Sequence, residues 1–290
     1  MNFSHHRTPA QSVREYCRGI TGGLVFSIPL LYTLEMWSAG AALHPGRILI
    51  CVAATFGILL LYNRFAGLRQ DASFGEVAID SVEEMGLGLV ISAIVLWLIG
   101  VIDSTMGLPE LTGKVVLEAM TVAIGVSVGT AQLGAENDGD EGVSGESSLG
   151  ESSYLPQTAI SFCGAVLFAA NIAPTEEVQR IAAETPPFRI LLLASGSMAA
   201  AAVVLHYAGM RGSEDAGKTA ASSLFLKSRA VITTYAVALL AAAACLYLFG
   251  RFDGQPWRIG LAMMVVAGVP AALGASAGRF LLEGGSKGNQ

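Results

Sequence analysis

The sequence predicts an all-α polytopic transmembrane helix bundle of about eight spans, arranged as a four-plus-four parallel internal repeat. Three observations predict it. First, 53% of the 290 residues are hydrophobic and 14% are charged, against roughly 25% charged in an average soluble domain. The mean hydropathy is +0.57, and a soluble chain of this size needs far more polar surface to cover its core. Second, the apolar residues fall into runs near the ~20-residue length at which a helix crosses a bilayer. Third, the second half of the chain echoes the first in order. A disordered chain, a disulfide scaffold and an ordinary soluble enzyme are excluded by the composition alone.

Eight runs cover residues 19–41, 47–62, 85–102, 113–134, 154–175, 188–210, 230–250 and 259–282. The second is short, and the eighth is rich in small residues and contains Pro270. With the N-terminus inside, 11 of the 17 Lys and Arg fall on inner segments and six on outer ones. By the positive-inside rule both termini then face the cytoplasm of a bacterial inner membrane. The domain division is a polar segment 1–18, a first membrane unit 19–134, a linker 135–155, a second membrane unit 156–282 and a tail 283–290. Residues 135–153 hold six acids and no base among many Gly and Ser, as a flexible linker does. Asp138 and Asp140 begin a calcium-loop pattern there, but Gly142 stands where its third ligand belongs.

Four matches recur in the same order. GLVFSIPLLYTLEM (23–36) lies over GAVLFAANIAPTEE (164–177), which sets Glu35 on Glu176. Pro45-Gly-Arg-Ile-Leu matches Pro187-Phe-Arg-Ile-Leu. LWLIGVID (96–103) matches LYLFGRFD (246–253), and AMTVAIGV (119–126) matches AMMVVAGV (262–269). Units with an even number of spans enter the membrane in the same sense and are related by an axis along its normal. The motifs Gly19-x-x-x-Gly23, Gly125-x-x-x-Gly129 and Gly274-x-x-x-Gly278 are read as helix-packing surfaces. Trp37 and Trp257 fall near outer span ends, where aromatic belts form.

The motifs LLYTLEMW (30–37), VEEMGLG (82–88) and NIAPTEEV (171–178) resemble a domain-of-unknown-function family of bacterial integral membrane proteins. The resemblance runs over most of the chain. It implies a bacterial membrane protein and transfers no catalytic or binding residue.

Carboxylates in the apolar runs are the residues singled out for function, because a charge at the bilayer centre costs about 2.5–3.5 kcal/mol on insertion scales. In the eight-span reading Glu35, Glu118, Glu176 and Glu177 converge near the outer face. Asp80, Glu83 and Glu84 lie at the inner start of the third span. No Lys or Arg sits inside the apolar part of a span, so these acids are expected to take up protons or to hold cations. For Asp80, Glu83 and Glu84 the competing reading is helix-end capping. In the repeat, Glu83 and Glu84 fall on Thr233 and Thr234, so the halves have diverged and one asymmetric path is expected.

The four Cys lie far apart, and no HExxH, Walker loop or GxSxG elbow is present. His206 is the only His in a span. No enzyme, cofactor or metal site is therefore expected. The expected partners are membrane lipids and cations (protons, monovalent ions or calcium), with self-association into a homo-oligomer and no nucleic acid. The leading functional expectation is a cation-conducting channel or transporter with its path between the two repeats. A non-transporting scaffold or regulatory subunit is the alternative, and an acid-based intramembrane enzyme the third.

Overall fold

A computed structural model describes residues 9–67, 73–134, 154–210 and 220–285. Ten α-helices account for nearly all of them, and no strand occurs among the described residues. The first half contains α1 (Pro9–Leu31), α2 (Leu34–Ala42), α3 (Pro45–Ala66), α4 (Phe74–Leu98) and α5 (Leu108–Gly134). The second contains α6 (Tyr154–Ala170), α7 (Glu176–Glu184), α8 (Pro187–Met210), α9 (Ala220–Leu248) and α10 (Trp257–Gly285). The acidic linker 135–153, with Asp138 and Asp140, lies outside the described residues.

Six helices (α3, α4, α5, α8, α9 and α10) are each long and apolar enough to cross a bilayer. α6 is apolar but shorter, and α1 meets the criterion only together with α2. The run 19–41, expected as one crossing, is in fact two helices bent by 85° across Tyr32 and Thr33. Local chemistry accounts for the break. Pro29 has no N–H to continue the helical ladder, and the Thr33 hydroxyl donates to the Pro29 carbonyl. Thr33 then adopts extended backbone (φ −106°, ψ 117°) and starts a new helix. The run 154–175 also breaks: α6 stops at Ala170, and Pro174 biases its predecessor away from helix before Thr175 starts α7.

The halves share their order of elements: a helix, a break, a nine-residue helix, then three long helices. In each the last helix is the hub. α5 packs chiefly on α1 and α4, and also on α3 and α2; α10 packs on α6, α8 and α9, and also on α7. Glycine sets the closest crossings. A Cβ on Gly22 would strike Gly129 Cα and stand 2.6 Å from the Gly125 carbonyl oxygen. One on Gly164 would strike the Gly274 carbonyl, and one on Gly278 would lie 2.8 Å from the Ile160 carbonyl oxygen. The expected packing role of the Gly125/Gly129 and Gly274/Gly278 motifs therefore holds, with Gly22 at the centre of the first crossing. These contacts set Gly125 opposite Gly274, a register six residues away from the AMTVAIGV–AMMVVAGV match.

α4 and α9 end alike. Gly100 (φ +75°) and Gly250 (φ +72°) take the left-handed conformation that glycine adopts freely. Val101 N–H bonds to the Leu96 carbonyl and Arg251 N–H to the Leu246 carbonyl, which closes the same helix-end turn in both halves. The start of α4 is a capping box of Ser73 and Glu76. Large apolar side chains such as Val25, Leu49, Ile94, Leu191 and Leu240 are exposed on helix faces, as lipid-facing residues are.

Candidate functional site

The surface where the halves meet is closed by apolar packing. Leu59 and Ala66 of α3 share one buried cluster with Cys163, Val166 and Ala170 of α6, and the Cys163 thiol lies 3.8 Å from the Ile58 carbonyl. No carboxylate is buried on this surface among the described residues; its buried polar groups are the Tyr62 hydroxyl, which accepts from Gln132 Nε2 (3.3 Å), and the Cys163 thiol. The buried acids lie elsewhere, on the seam between α4 and α5 inside the first half.

Glu84, about three turns into α4, is buried on this seam. Asn63 of α3 donates from Nδ2 to Glu84 Oε2 (2.7 Å) and to Ser81 Oγ (3.1 Å). Ser127 of α5 donates to Asn63 Oδ1 (2.9 Å), and Ser81 donates back to the Val77 carbonyl (2.8 Å). Asp80 and Glu15 bear on Glu84 electrostatically. Three helices thus contribute to one buried polar cluster. Asn63, Ser81 and Ser127 were not anticipated from sequence; their signal is a polar residue inside an apolar run, weaker than that of a charge. Neighbouring Glu83, expected beside Glu84, is instead exposed on the outer face of α4.

Glu118 on α5 is fully buried (0% exposed), and neither carboxylate oxygen has a hydrogen-bond partner. Its surroundings follow from register. Gly88 presses on α5, where an added Cβ would lie 2.6 Å from the Ala119 carbonyl oxygen and 3.0 Å from Ala123 Cβ. Leu96 packs in one cluster with Val115 and Ile91 in another with Val122. The antiparallel helices therefore bring Ser92 level with Glu118, and Ser92 Oγ is likewise fully buried without a partner. The same counting brings Glu84 level with residues beside Ser127. At about 1.5 Å per residue, the two acids are separated by about 12 Å along the seam.

Glu35, Glu176 and Glu177 form a separate group. Glu35 lies in the first turn of α2, just beyond the bend that divides the run 19–41. Glu176 and Glu177 occupy the first turn of α7. By their Thr33 and Thr175 caps and their buried pairs Met36/Gly40 and Val178/Ala182, Glu35 corresponds to Glu177, one residue from the sequence match. Acids in a first helical turn complement the helix dipole. They also have a basic partner, contrary to expectation. Arg251, in the turn between α9 and α10, lies within electrostatic reach of Glu176, Glu35 and Glu177. Burial lowers the Arg251 pKa from its ordinary value, and the three carboxylates oppose that shift. Close by, Arg47 at the start of α3 pairs with Asp253 (2.6 Å) and stands over the Tyr247 ring (5.8 Å), which ties the halves together. An added Cβ on Gly250 would meet Arg47 Nη1 at 2.5 Å. The Arg47 guanidinium holds the Asp253 carboxyl below the usual aspartate range.

Two groups of acids are thus set apart by the fold, one buried in the first half and one at its outer edge against the second. The sequence model of the family described as "Putative integral membrane protein (DUF2391)" matches residues 15–282. The chain belongs to this family. Its apolar helices and lipid-facing side chains are those of a multi-pass integral membrane protein, and membrane lipids are its surroundings. No curated protein and no solved structure matches the chain. Among the described residues no cluster of three or more His, Cys, Asp or Glu has the arrangement to hold a metal ion.

Proposed function

We propose that this membrane protein moves cations across the bilayer, with Glu118 and Glu84 as interior groups, Asp80 at the inner approach, and Glu35, Glu176, Glu177 and Arg251 at the outer end. Glu118 is the observation that carries the reading: it is wholly buried, with neither carboxylate oxygen partnered. An ionised carboxylate in an apolar interior without a donor is penalised by several kcal/mol. A proton or a cation removes that penalty, and ionisable groups inside membrane proteins mark ion pathways for this reason. Glu83, exposed on α4, has no part in the path.

The reading includes an architecture. The halves are two copies of one unit, each of four spans plus a short helix (α2 or α7) at the outer surface. Support comes from the common helix order, the matched turns at Gly100 and Gly250, and the matched crossings at Gly22 and Gly164. Eight crossings leave both termini and the 135–153 linker on the cytoplasmic side of a bacterial inner membrane. Reporter tags at these three places should all read cytoplasmic, and a periplasmic linker with a cytoplasmic N-terminus would refute the span count.

The function is tested with purified protein in liposomes, measuring sodium, potassium and proton flux. Wild type should conduct at least one of them, and Glu118→Gln should cut that flux about tenfold or more, the equivalent of ~1.4 kcal/mol. No flux of any cation through well-folded wild type would overturn the reading in favour of a scaffold or regulatory subunit.

A further inference from the structure

The α4–α5 seam discriminates between kinds of cation. This step rests on the transport reading above and goes beyond it by naming the ion. We infer that the carried ion is the proton, borne by the Glu118 carboxyl, with Glu84 and its Asn63–Ser81–Ser127 cluster as a second station, all within the first half.

A metal cation stripped of water needs a shell of oxygen ligands. On its own helix the one hydroxyl within a turn of Glu118 is that of Thr121, which donates to the Glu118 backbone carbonyl (3.0 Å), so α5 offers no shell of oxygens. Val115 and Val122, one turn to either side, pack into two different apolar clusters, and the adjacent Leu117 packs into a third. A proton needs one oxygen lone pair and no shell. The single polar group level with Glu118 on α4 is the Ser92 hydroxyl, which can both give and accept a proton.

The oxygens around Glu84 are committed in the same sense. Ser81 Oγ accepts from Asn63 Nδ2, and Asn63 Oδ1 accepts from Ser127. What the cluster presents to Glu84 is therefore two donors, the Asn63 N–H (2.7 Å) and the Ser127 hydroxyl, and not a ring of ligating oxygens. Glu84, Gly88 and Ser92 follow one another at four-residue intervals, so they share one face of α4. All three are buried.

Among the described residues no charged group bears on Glu118, and burial alone acts on it. On α5 itself the nearest, Lys114, pairs with Glu110 (2.6 Å). On the helices packed against α5, Glu15 of α1 and Asp80 of α4 act on Glu84, Glu35 of α2 acts on Arg251, and Arg47 of α3 pairs with Asp253. Arg64 of α3 and Glu83 of α4 are exposed, Glu76 closes the α4 cap, and α6 has no charged residue. Arg18 of α1 lies against Gly129, well down the helix from Glu118. In a turnover one proton binds Glu118 from water and one leaves to water on the other side, by way of the Glu84 carboxylate. No other bond forms or breaks.

The test uses the full chain in liposomes with a trapped pH dye, choline in place of sodium, and a potassium–valinomycin potential, negative inside. Wild type should acidify the lumen without sodium, Glu118→Gln should lower the rate at least about tenfold, and Glu118→Asp, which restores a carboxyl, should recover part of it. Uptake of radioactive sodium and rubidium should stay at the level of empty liposomes. Sodium or rubidium uptake without acidification would overturn the proton assignment and leave the transport reading standing. No flux of any ion would overturn both. Infrared spectroscopy supplies a readout that does not depend on flux: the carboxylic-acid C=O band should lose intensity in Glu118→Gln, and an unchanged band would contradict a protonated Glu118.

Discussion

α4 and α9 end in the same turn, at Gly100 and at Gly250, yet their buried faces differ in kind. α4 presents Glu84, Gly88 and Ser92, whereas the corresponding places on α9 hold Thr234, Ala238 and Ala242. The hub helices diverge in the same way. In the register fixed by their glycine crossings, Glu118 of α5 stands where α10 has Ala267, while Ser127 and Ser276 are kept in both. Glycine crossings and helix-end turns recur in both halves, while the buried carboxylates among the described residues, Glu84 and Glu118, both lie in the first. Buried polar groups are costly unless satisfied, and the second half, with a similar order of helices, buries no carboxylate among the described residues. The proposed transport gives the acids of the first half a role that packing alone does not require.

The largest expected effects test the shape shared by the halves. Gly22→Ala and Gly164→Ala each drive a Cβ into the backbone of a crossing helix. Each should destabilise by about 1–3 kcal/mol, read as a lower Tm in detergent. Gly86→Ala, whose added Cβ would meet nothing within 4 Å, should not lower Tm. A loss at Gly22 with none at Gly164 would break the match between the halves.

The next test separates their interiors. Asn63→Leu strips Glu84 of its donor and should cost about 1–3 kcal/mol. Much of that loss should disappear in a Glu84→Leu background, where no buried carboxylate is left unpaired. Thr234→Val, at the place in α9 that corresponds to Glu84, should cost only about 1 kcal/mol. Equal losses in both Asn63→Leu backgrounds would show that Asn63 acts by packing and not through Glu84.

The smallest effect belongs to the tie between the halves. Asp253 is exposed and its carboxyl is held below the usual aspartate range by Arg47. A depressed carboxyl stabilises the fold above its unfolded pKa, about 3.9, and loses that contribution as pH falls through the lower folded value. Asp253→Asn should therefore lower Tm slightly at neutral pH. The difference from wild type should shrink below about pH 4 and with added salt.

Sequence alone made much of the fold legible, because a bilayer demands long apolar helices and little else produces such runs. The bends were not legible. Leu34, Met36 and Trp37 keep the run 19–41 apolar straight through the 85° turn, so hydropathy saw one straight helix where there are two. Glu118 stood out as an acid within an apolar run and Glu84 as one at the start of another, but their place on one seam depends on the crossing at Gly88, 31 positions before Ala119 in the chain. Asn63 as the donor to Glu84 depends on α3 packing beside α4. The role of Arg251 was hidden because it lies in a turn, and only the folded chain carries that turn to α2 and α7.

The central claim is that the acids buried in the first half, and not those at the outer edge, set the rate of transport. Cation flux through liposomes containing wild type, Glu118→Gln, Glu84→Gln, Glu35→Gln or Glu176→Gln tests it in one series. The account predicts the largest loss in Glu118→Gln, a smaller one in Glu84→Gln, and near-wild-type rates at saturating cation in the two outer variants. Undiminished flux in Glu118→Gln, with loss in Glu35→Gln or Glu176→Gln, would contradict it and move the rate-setting site to the outer acids around Arg251.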